Sequence, residues 1–336
     1  MQKISLLIGV ATILALTAFL VFEGPVSTET NDSELEFNEF NAKYKKHYNS
    51  LSDKALRFSV FKDNLNLIRT HNKKQAPSYT LGINEFSDLT FEEFKAFYLT
   101  EFNHSHTKEH CHEDRQKNKQ SPDQLDWNAL GKVQKVKNQA SCGSCWAFSA
   151  IGAIESAHAI SGGELPNLSE QELVDCSTEY GNGGCNGGFM HWGFNYILDH
   201  NIHESEEYPY TATDDQCQVP EIGEGKFEIH GCMKAMPSIE GLVSAISTNP
   251  VSVAFAVQDD FRFYKDGVYN PENCPGQINH GVLAFGYDNK ADIPFFNVKN
   301  SWGQNWGDQG YFKISQGKGK GTCSMAGNGY NYYPIA

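Results

Sequence analysis

The sequence has no excess of positive charge. Lys and Arg number 27 against 41 Asp and Glu, a formal net charge of -14, so the basic footprint of a nucleic-acid-binding chain is missing. The imbalance lies from Ser121 onward, where 25 acidic residues face 12 basic ones; such a surface favours solubility and says little about substrate. No internal repeat is present, and no second transmembrane run follows the first apolar stretch. That stretch, Ile4 to Phe22, follows Met1–Lys3 and is closed by Glu23 and Pro25. It predicts a secretory signal segment over residues 1–27, with an uncleaved membrane anchor as the alternative, because no clean small-x-small site follows it.

Cysteine, by contrast, is well supplied. Nine thiols fit the oxidising compartment a signal segment implies, and an odd number leaves at least one without an intramolecular partner. Between Asn31 and Leu99, Phe37, Phe40 and Tyr44, then Leu56, Phe58, Phe61, Leu65 and Ile68, recur at helical spacing. They predict two helices, followed by an extended piece from Tyr79 to Phe86. From Asn103 to Gln120 there is almost nothing to bury, the composition of an exposed linker open to proteolysis. Ser121 to Ala336 is rich in glycine and aromatics, and long enough for a substantial core. Its first half reads as helical, with Cys145–Ser161 closed by Gly162-Gly163 and a capping-box pattern at Ser169–Glu172. The second half, Phe227 to Ile314, alternates as strands do. Helices first and strands later predict an α+β chain of two lobes with a cleft between them.

Three blocks carry chemistry. The run Gln139-Ala140-Ser141-Cys142-Gly143-Ser144-Cys145-Trp146 places Cys145 where a helix begins, and a helix N-terminus favours thiolate, the nucleophilic form. A redox Cys-x-x-Cys reading is less apt, since no strand-helix-strand unit surrounds it. The second block is Asn279-His280-Gly281, and the third is Val298-Lys299-Asn300-Ser301-Trp302-Gly303. An imidazole can take the thiol proton and return one to a leaving amine, while an amide oxygen holds the ring by its second N–H. A single histidine on a strand is more often structural; the combination points to nucleophilic catalysis.

These blocks resemble the papain family of cysteine peptidases, close to its cathepsin L and cathepsin H branch, over nearly the whole chain after the signal segment. The resemblance implies a papain-like two-lobe fold over residues 121–336. Its mainly helical lobe would span about 130–231 and its mainly β lobe about 232–328, behind an inhibitory prosegment and linker over 28–120. It makes Cys145 the nucleophile, His280 the acid and base, Asn300 the orienter, and Gln139 the side-chain donor to the oxyanion. Trp302 would shield the Asn–His bond. A catalytically inactive binding or inhibitor-sequestering relative is the alternative, separable by labelling Cys145 with a thiol-directed reagent.

By the same resemblance Cys142 pairs with Cys185, Cys176 with Cys217, and Cys274 with Cys323. Gly187 and Gly188 would pair with an extended substrate; Phe189, Met190, Ala254 and Asn328 would line an apolar pocket for the second residue upstream of the cut, although Met190 also reads as core. Arg57, Phe61, Asn64, Ile68 and Asn72, with Asp53 where Glu is usual, fit the helical signature of L-type prosegments, and Gly82–Asp88 fits its second motif. The cathepsin B branch lacks the former. Cathepsin H ties a prosegment remnant to its mature chain by a disulfide; here the matching partner position is Asn328, and pairing of Cys111 with Cys232 stays open. His104, His106, His110, Cys111 and His112 form a linker cluster whose readings are a solvated linker, a pH-sensitive release device acting through the histidines, or a metal site that lacks an ordered frame. No cofactor or metal is expected. Partners expected are protein and peptide substrates, the chain's own prosegment and cystatin-like inhibitors, with a monomeric state and a lysosomal, vacuolar or secreted destination. Asn31, Asn103 and Asn167 begin Asn-x-Ser sequons.

Overall fold

The computed structural model describes residues 28–100, 102, 110–114 and 121–336. The predicted signal segment, His104 and His106 lie outside the described residues. Among the described residues no helix is long and apolar enough to cross a membrane.

The N-terminal part is built on helices α1 (Thr28–Tyr44) and α2 (Leu51–Asn72). Their predicted stripes meet: Phe37, Phe40, Phe61 and Leu65 are buried together in a small core of their own. Ser50 caps α2 by accepting from the Asp53 N–H. The signature polar residues of α2 then knit the following chain to it. Asn64 donates to the carbonyls of Ser87 and Leu89, and Asn72 bonds both backbone groups of Leu81. Strand β1 (Tyr79–Leu81) falls inside the predicted extended piece. A third helix, α3 (Phe91–Tyr98), was not expected. It is opened by a complete capping box between Thr90 and Glu93, and Phe94 supplies its buried face.

Arg57 reaches from α2 to Glu93 at 2.8 Å, and this hydrogen bond holds the Glu93 carboxyl below its ordinary range. A carboxylate with a depressed folded pKa stabilises the fold above its unfolded value and loses that contribution as pH falls through the folded one. The Glu93→Gln variant should therefore melt below the parent chain at about pH 6, and the gap in thermal midpoint should close as pH falls below the ordinary carboxylate range.

Strands β2 (His112–Glu113), β3 (Gln124–Asp126), β4 (Gly231–Lys234), β5 (Val251–Phe255), β6 (Tyr264–Tyr269), β7 (His280–Asp288), β8 (Phe295–Lys299), β9 (Tyr311–Ser315) and β10 (Tyr332–Ile335) follow in chain order. They form a sheet of order β1-β6-β9-β8-β7-β5-β10-β4-β2, with β3 also on β7. Strand β1 of the N-terminal part thus extends the sheet formed by the later strands, antiparallel to β6. Helices α4 (Cys145–Ile160), α5 (Glu170–Cys176), α6 (Met190–His200) and α7 (Val219–Ile222) make the other lobe, and α8 (Ile239–Ile246) packs on the strands. Ser169 caps α5 as expected. The reciprocal half of the box is absent, because Glu172 turns instead to Tyr196 and His203. Ser169 of the Asn167 sequon is therefore buried in a structural role.

Small residues dominate α4, and it is buried on nearly every face. Ser149 stitches it to the strands, donating to Val282 O and accepting from Ser252, both at 2.7–2.8 Å. Beside it Lys137 bonds Glu155 and Glu170 at 2.8 and 2.7 Å, a buried ion cluster that holds α4 and α5 on the chain leading to the site.

The sequence had Asn103–Gln120 as an exposed linker. The structure corrects this for 110–114: His112 and Glu113 form β2, parallel to β4, and Cys111 and Asp114 are buried. Cys111 is bonded to Cys232. The physical reason is covalent, since a disulfide supplies the anchoring that the segment's apolar content cannot. The family-derived pairings Cys142–Cys185, Cys176–Cys217 and Cys274–Cys323 are all present, leaving Cys145 as the free cysteine. No group of three or more potential metal ligands occurs among the described residues.

Candidate active site

Cys145 is the first residue of α4, so the unpaired N–H groups of that helix surround its sulfur. His280 is the first residue of β7, and Asn300 follows the last residue of β8. The antiparallel register pairs Leu283 with Lys299; continued to the strand end, it brings His280 opposite Trp302, and the two rings stack at 4.6 Å. His280 Nε2 lies 2.8 Å from Asn300 Oδ1. The Ser301 N–H also donates to that oxygen, at 2.9 Å, which identifies it as the acceptor and Nε2 as the protonated nitrogen. Nδ1 is then the basic nitrogen, and it is buried without a hydrogen-bond partner. The Cys145 sulfur accepts from the N–H of Gly281, the residue after His280, at 3.3 Å.

Gln139 completes the group. Its Oε1 accepts from Ser301 Oγ at 2.6 Å, which aims Nε2 at the carbonyls of Cys142 and Tyr98, at 2.9 and 3.2 Å. Tyr98 is the last residue of α3, in the N-terminal part. Farther on, Thr100 N–H donates to Asn279 O at 2.9 Å, and the Phe102 ring lies 5.0 Å from Phe189 and 6.0 Å from Tyr330. At the other end, Phe94 and Phe86 stand edge-on to Trp302 at 5.1 and 5.8 Å. The prosegment thus fills the cleft from Trp302 towards Phe189 as the chain runs N to C.

Cys145 and His280 are both fully covered in this closed form. Burial pushes the thiol up to about 12 and the imidazole down to about 4. The cause in each case is that a covered, water-poor site disfavours the charged form. The segment through the cleft thus covers both groups in this form.

The pocket residues fall as follows. Phe189 and Ala254 are buried at the cleft wall, and Phe189 contacts Tyr330 and His191 as well as Phe102. Met190 is wholly buried in the helical-lobe core. Asn328 spends its amide on the wall itself: Nδ2 donates to Ala254 O and Met325 O, and Oδ1 accepts from Tyr330 N–H. Its polarity is consumed there, and Tyr330 is the side chain it presents to the pocket. Gly188 has a structural cause, since a Cβ there would stand 2.3 Å from Asn182 Oδ1 and 2.8 Å from the Trp146 ring. Gly187 has φ 113°, a region glycine favours. Sequence reasoning missed Ser301, Tyr98, Phe102 and Tyr330. Ser301 adjoins Asn300 and could have been found from that motif; Phe102 and Tyr330 carry no local signal.

A thiol at a helix N-terminus, a histidine held by an asparagine amide, an amide donor beside both, and an N-terminal segment lying through the cleft define a latent cysteine protease. The chain belongs to the papain family of cysteine proteases, whose model matches residues 121–333, and residues 37–94 match the cathepsin propeptide inhibitor domain. It is 42% identical over 301 residues to "Thiol protease aleurain-like" of Arabidopsis thaliana, covering 86% of this chain and 83% of that one. To "Pro-cathepsin H" of Medicago truncatula it is 42% identical over 299 residues, covering 86% and 85%. Among solved structures, a recombinant stem bromelain precursor matches with TM-score 0.81 at 33% identity, covering 90% of this chain and 98% of that one. The digestive procathepsin L2 proteinase of Tenebrio molitor matches with TM-score 0.83 at 33% identity, covering 90% and 100%. The protein is a cysteine protease zymogen with its inhibitor in cis, and its disulfides belong to the secretory pathway.

Proposed function

We propose that the processed enzyme cuts within polypeptides, with Cys145 as nucleophile and His280 as acid and base. The observation that carries this reading is the Gln139 amide donating at 3.2 Å to the Tyr98 carbonyl of the segment lying through the cleft. A backbone carbonyl already sits where a substrate carbonyl would be polarised. With the prosegment gone, the thiol proton moves to His280 Nδ1 and sulfur adds to the scissile carbonyl carbon. The oxyanion accepts from Gln139 Nε2 and the Cys145 backbone N–H. The C–N bond breaks as His280 returns the proton to the leaving amine, leaving a thioester. His280 then deprotonates water, which attacks the thioester carbonyl; the acid departs and the thiol is restored. Asn300 keeps the ring in the tautomer this needs, Ser301 positions Gln139, and Trp302 covers the Asn–His bond.

Phe189 and Tyr330 flank the place that Phe102 takes in the precursor, and Asn328, two residues before Tyr330, is bonded to the Ala254 carbonyl. An apolar or aromatic side chain second upstream of the cut fits there, and substrate runs opposite to the prosegment, its backbone passing Gly187 and Gly188. Tyr330→Ala should raise KM about tenfold for peptides with Phe at that position while kcat changes little, because about 1–3 kcal/mol of apolar contact is lost. Steady-state kinetics on matched Phe and Ala peptides checks it. An acidic vacuolar or lysosomal compartment, a monomeric state and cystatin-like inhibitors fit this reading. Cleavage of a peptide library tests it as a whole: internal cuts after an apolar second residue are expected, and failure to turn over any peptide while Cys145 takes a thiol label would favour the binding-protein alternative.

A further inference from the structure

The prosegment is held to the catalytic unit in two different ways. Residues 28–100 are held by non-covalent contacts: β1 on β6, Tyr79 on Asp260 at 2.6 Å, Asn64 on Arg262 at 3.0 Å, and the chain through the cleft. Cys111 instead bonds Cys232 on β4, across 121 positions of sequence. The residues after it are equally built in. His112 and Glu113 pair with Met233 and Lys234, the Asp114 N–H donates to Lys234 O at 2.8 Å, and Asp114 accepts from Tyr333 at 2.7 Å. Asp114 is 7% exposed and Cys111 8%.

We propose that His110–Asp114, which carries β2, is a permanent part of the active protease, and that the side of Cys111 on which the chain is cut decides between activation and latency. The proposal rests on the protease reading above. A cut after Asp114, at the edge of the family-matched catalytic unit, breaks the backbone but leaves residues 28–114 bonded to Cys232. Phe102 stands nine positions before Cys111, a span of at most roughly 30 Å, so the inhibitory chain stays at an effective concentration on the order of millimolar and reseats after each opening. A cut before Cys111 frees the inhibitory part to diffuse away, and the active chain then carries Cys111, with its N-terminus upstream of that residue.

The test uses the full-length precursor with a site for an unrelated sequence-specific protease placed either between residues 105 and 106 or between 117 and 118. Intact masses are taken with and without reductant, and peptide hydrolysis is measured after dilution. The 117/118-cut protein should keep its whole mass until reduced, and its activity should be at least tenfold below that of the 105/106-cut protein. Adding Cys111→Ser and Cys232→Ser together should let the 117/118-cut prosegment separate on gel filtration and raise activity at least tenfold. Loss of residues 28–114 from the 117/118-cut parent without reductant, or equal activity of the two cut forms, overturns the proposal. So does a naturally processed enzyme that yields no Cys111 peptide without reductant. These mass readouts need no catalysis and no cysteine variant, so misfolding of the double variant leaves them intact. A 105/106-cut protein that keeps its tether yet hydrolyses nothing would instead count against the protease reading.

Discussion

Cys145→Ser is expected to accumulate as uncut precursor, and after an external cut and removal of the prosegment its kcat/KM should be lower by about four to six orders of magnitude, with peptide affinity nearly unchanged. The reason lies in the reacting group. A serine hydroxyl is far less acidic than a thiol, so neither the α4 N-terminus nor His280 can keep it ionised. His280→Ala should cost about as much, since groups that act as a unit lose nearly everything when either is removed. Gln139→Ala takes away one oxyanion donor and should lower kcat by only about 10² to 10³. This ordering, measured by active-site-normalised kinetics on one peptide, separates a catalytic thiol from one that merely binds. Equal, small losses for all three variants would sink the mechanism.

Arg262→Met should open the precursor without harming the processed enzyme. The Arg262 guanidinium is almost wholly buried and faces the prosegment, where it donates to Asn64 Oδ1 at 3.0 Å and to Leu89 O. Asp259 accepts from it on the catalytic side. Two charge-assisted bonds across the seam, at about 1.5 kcal/mol each, amount to roughly a hundredfold in the open-to-closed ratio. Cys145 in the intact variant precursor should therefore react with a thiol label about a hundred times faster than in the parent, while the labelling rate of the processed enzyme stays within a few-fold. Unchanged reactivity of the variant precursor would mean that closure depends on the aromatic contacts at Trp302 instead.

Much of the catalytic architecture was legible because it is written in local chemistry. Cys145 stands at the head of a run of small residues with no proline, and such a run becomes a buried helix wherever the chain carries it. The α2 stripe announced its own packing, and Phe61 and Leu65 are buried together as the spacing required. Helix α3 escaped because eight residues give too short a periodic signal. Thr90 and Glu93 were its one local mark. Strand β2 was read as linker because two paired residues beside a cysteine carry no pattern, and its order comes from a bond to a residue far along the chain.

Asn328 shows the same limit at the site. It was expected to line the pocket, yet its amide is used up on Ala254 and Met325, and Tyr330 faces Phe102 in its place. What the chain alone determined was the reaction class, since a thiol, an imidazole and an amide in those motifs leave little other chemistry to perform. What only tertiary structure decided was which groups are spent on neighbours and which stay open, where the prosegment lies, and where Cys111 is bonded. Such matters depend on atoms brought together from distant positions, and spacing along a sequence carries no information about hydrogen bonds and disulfides formed across the fold.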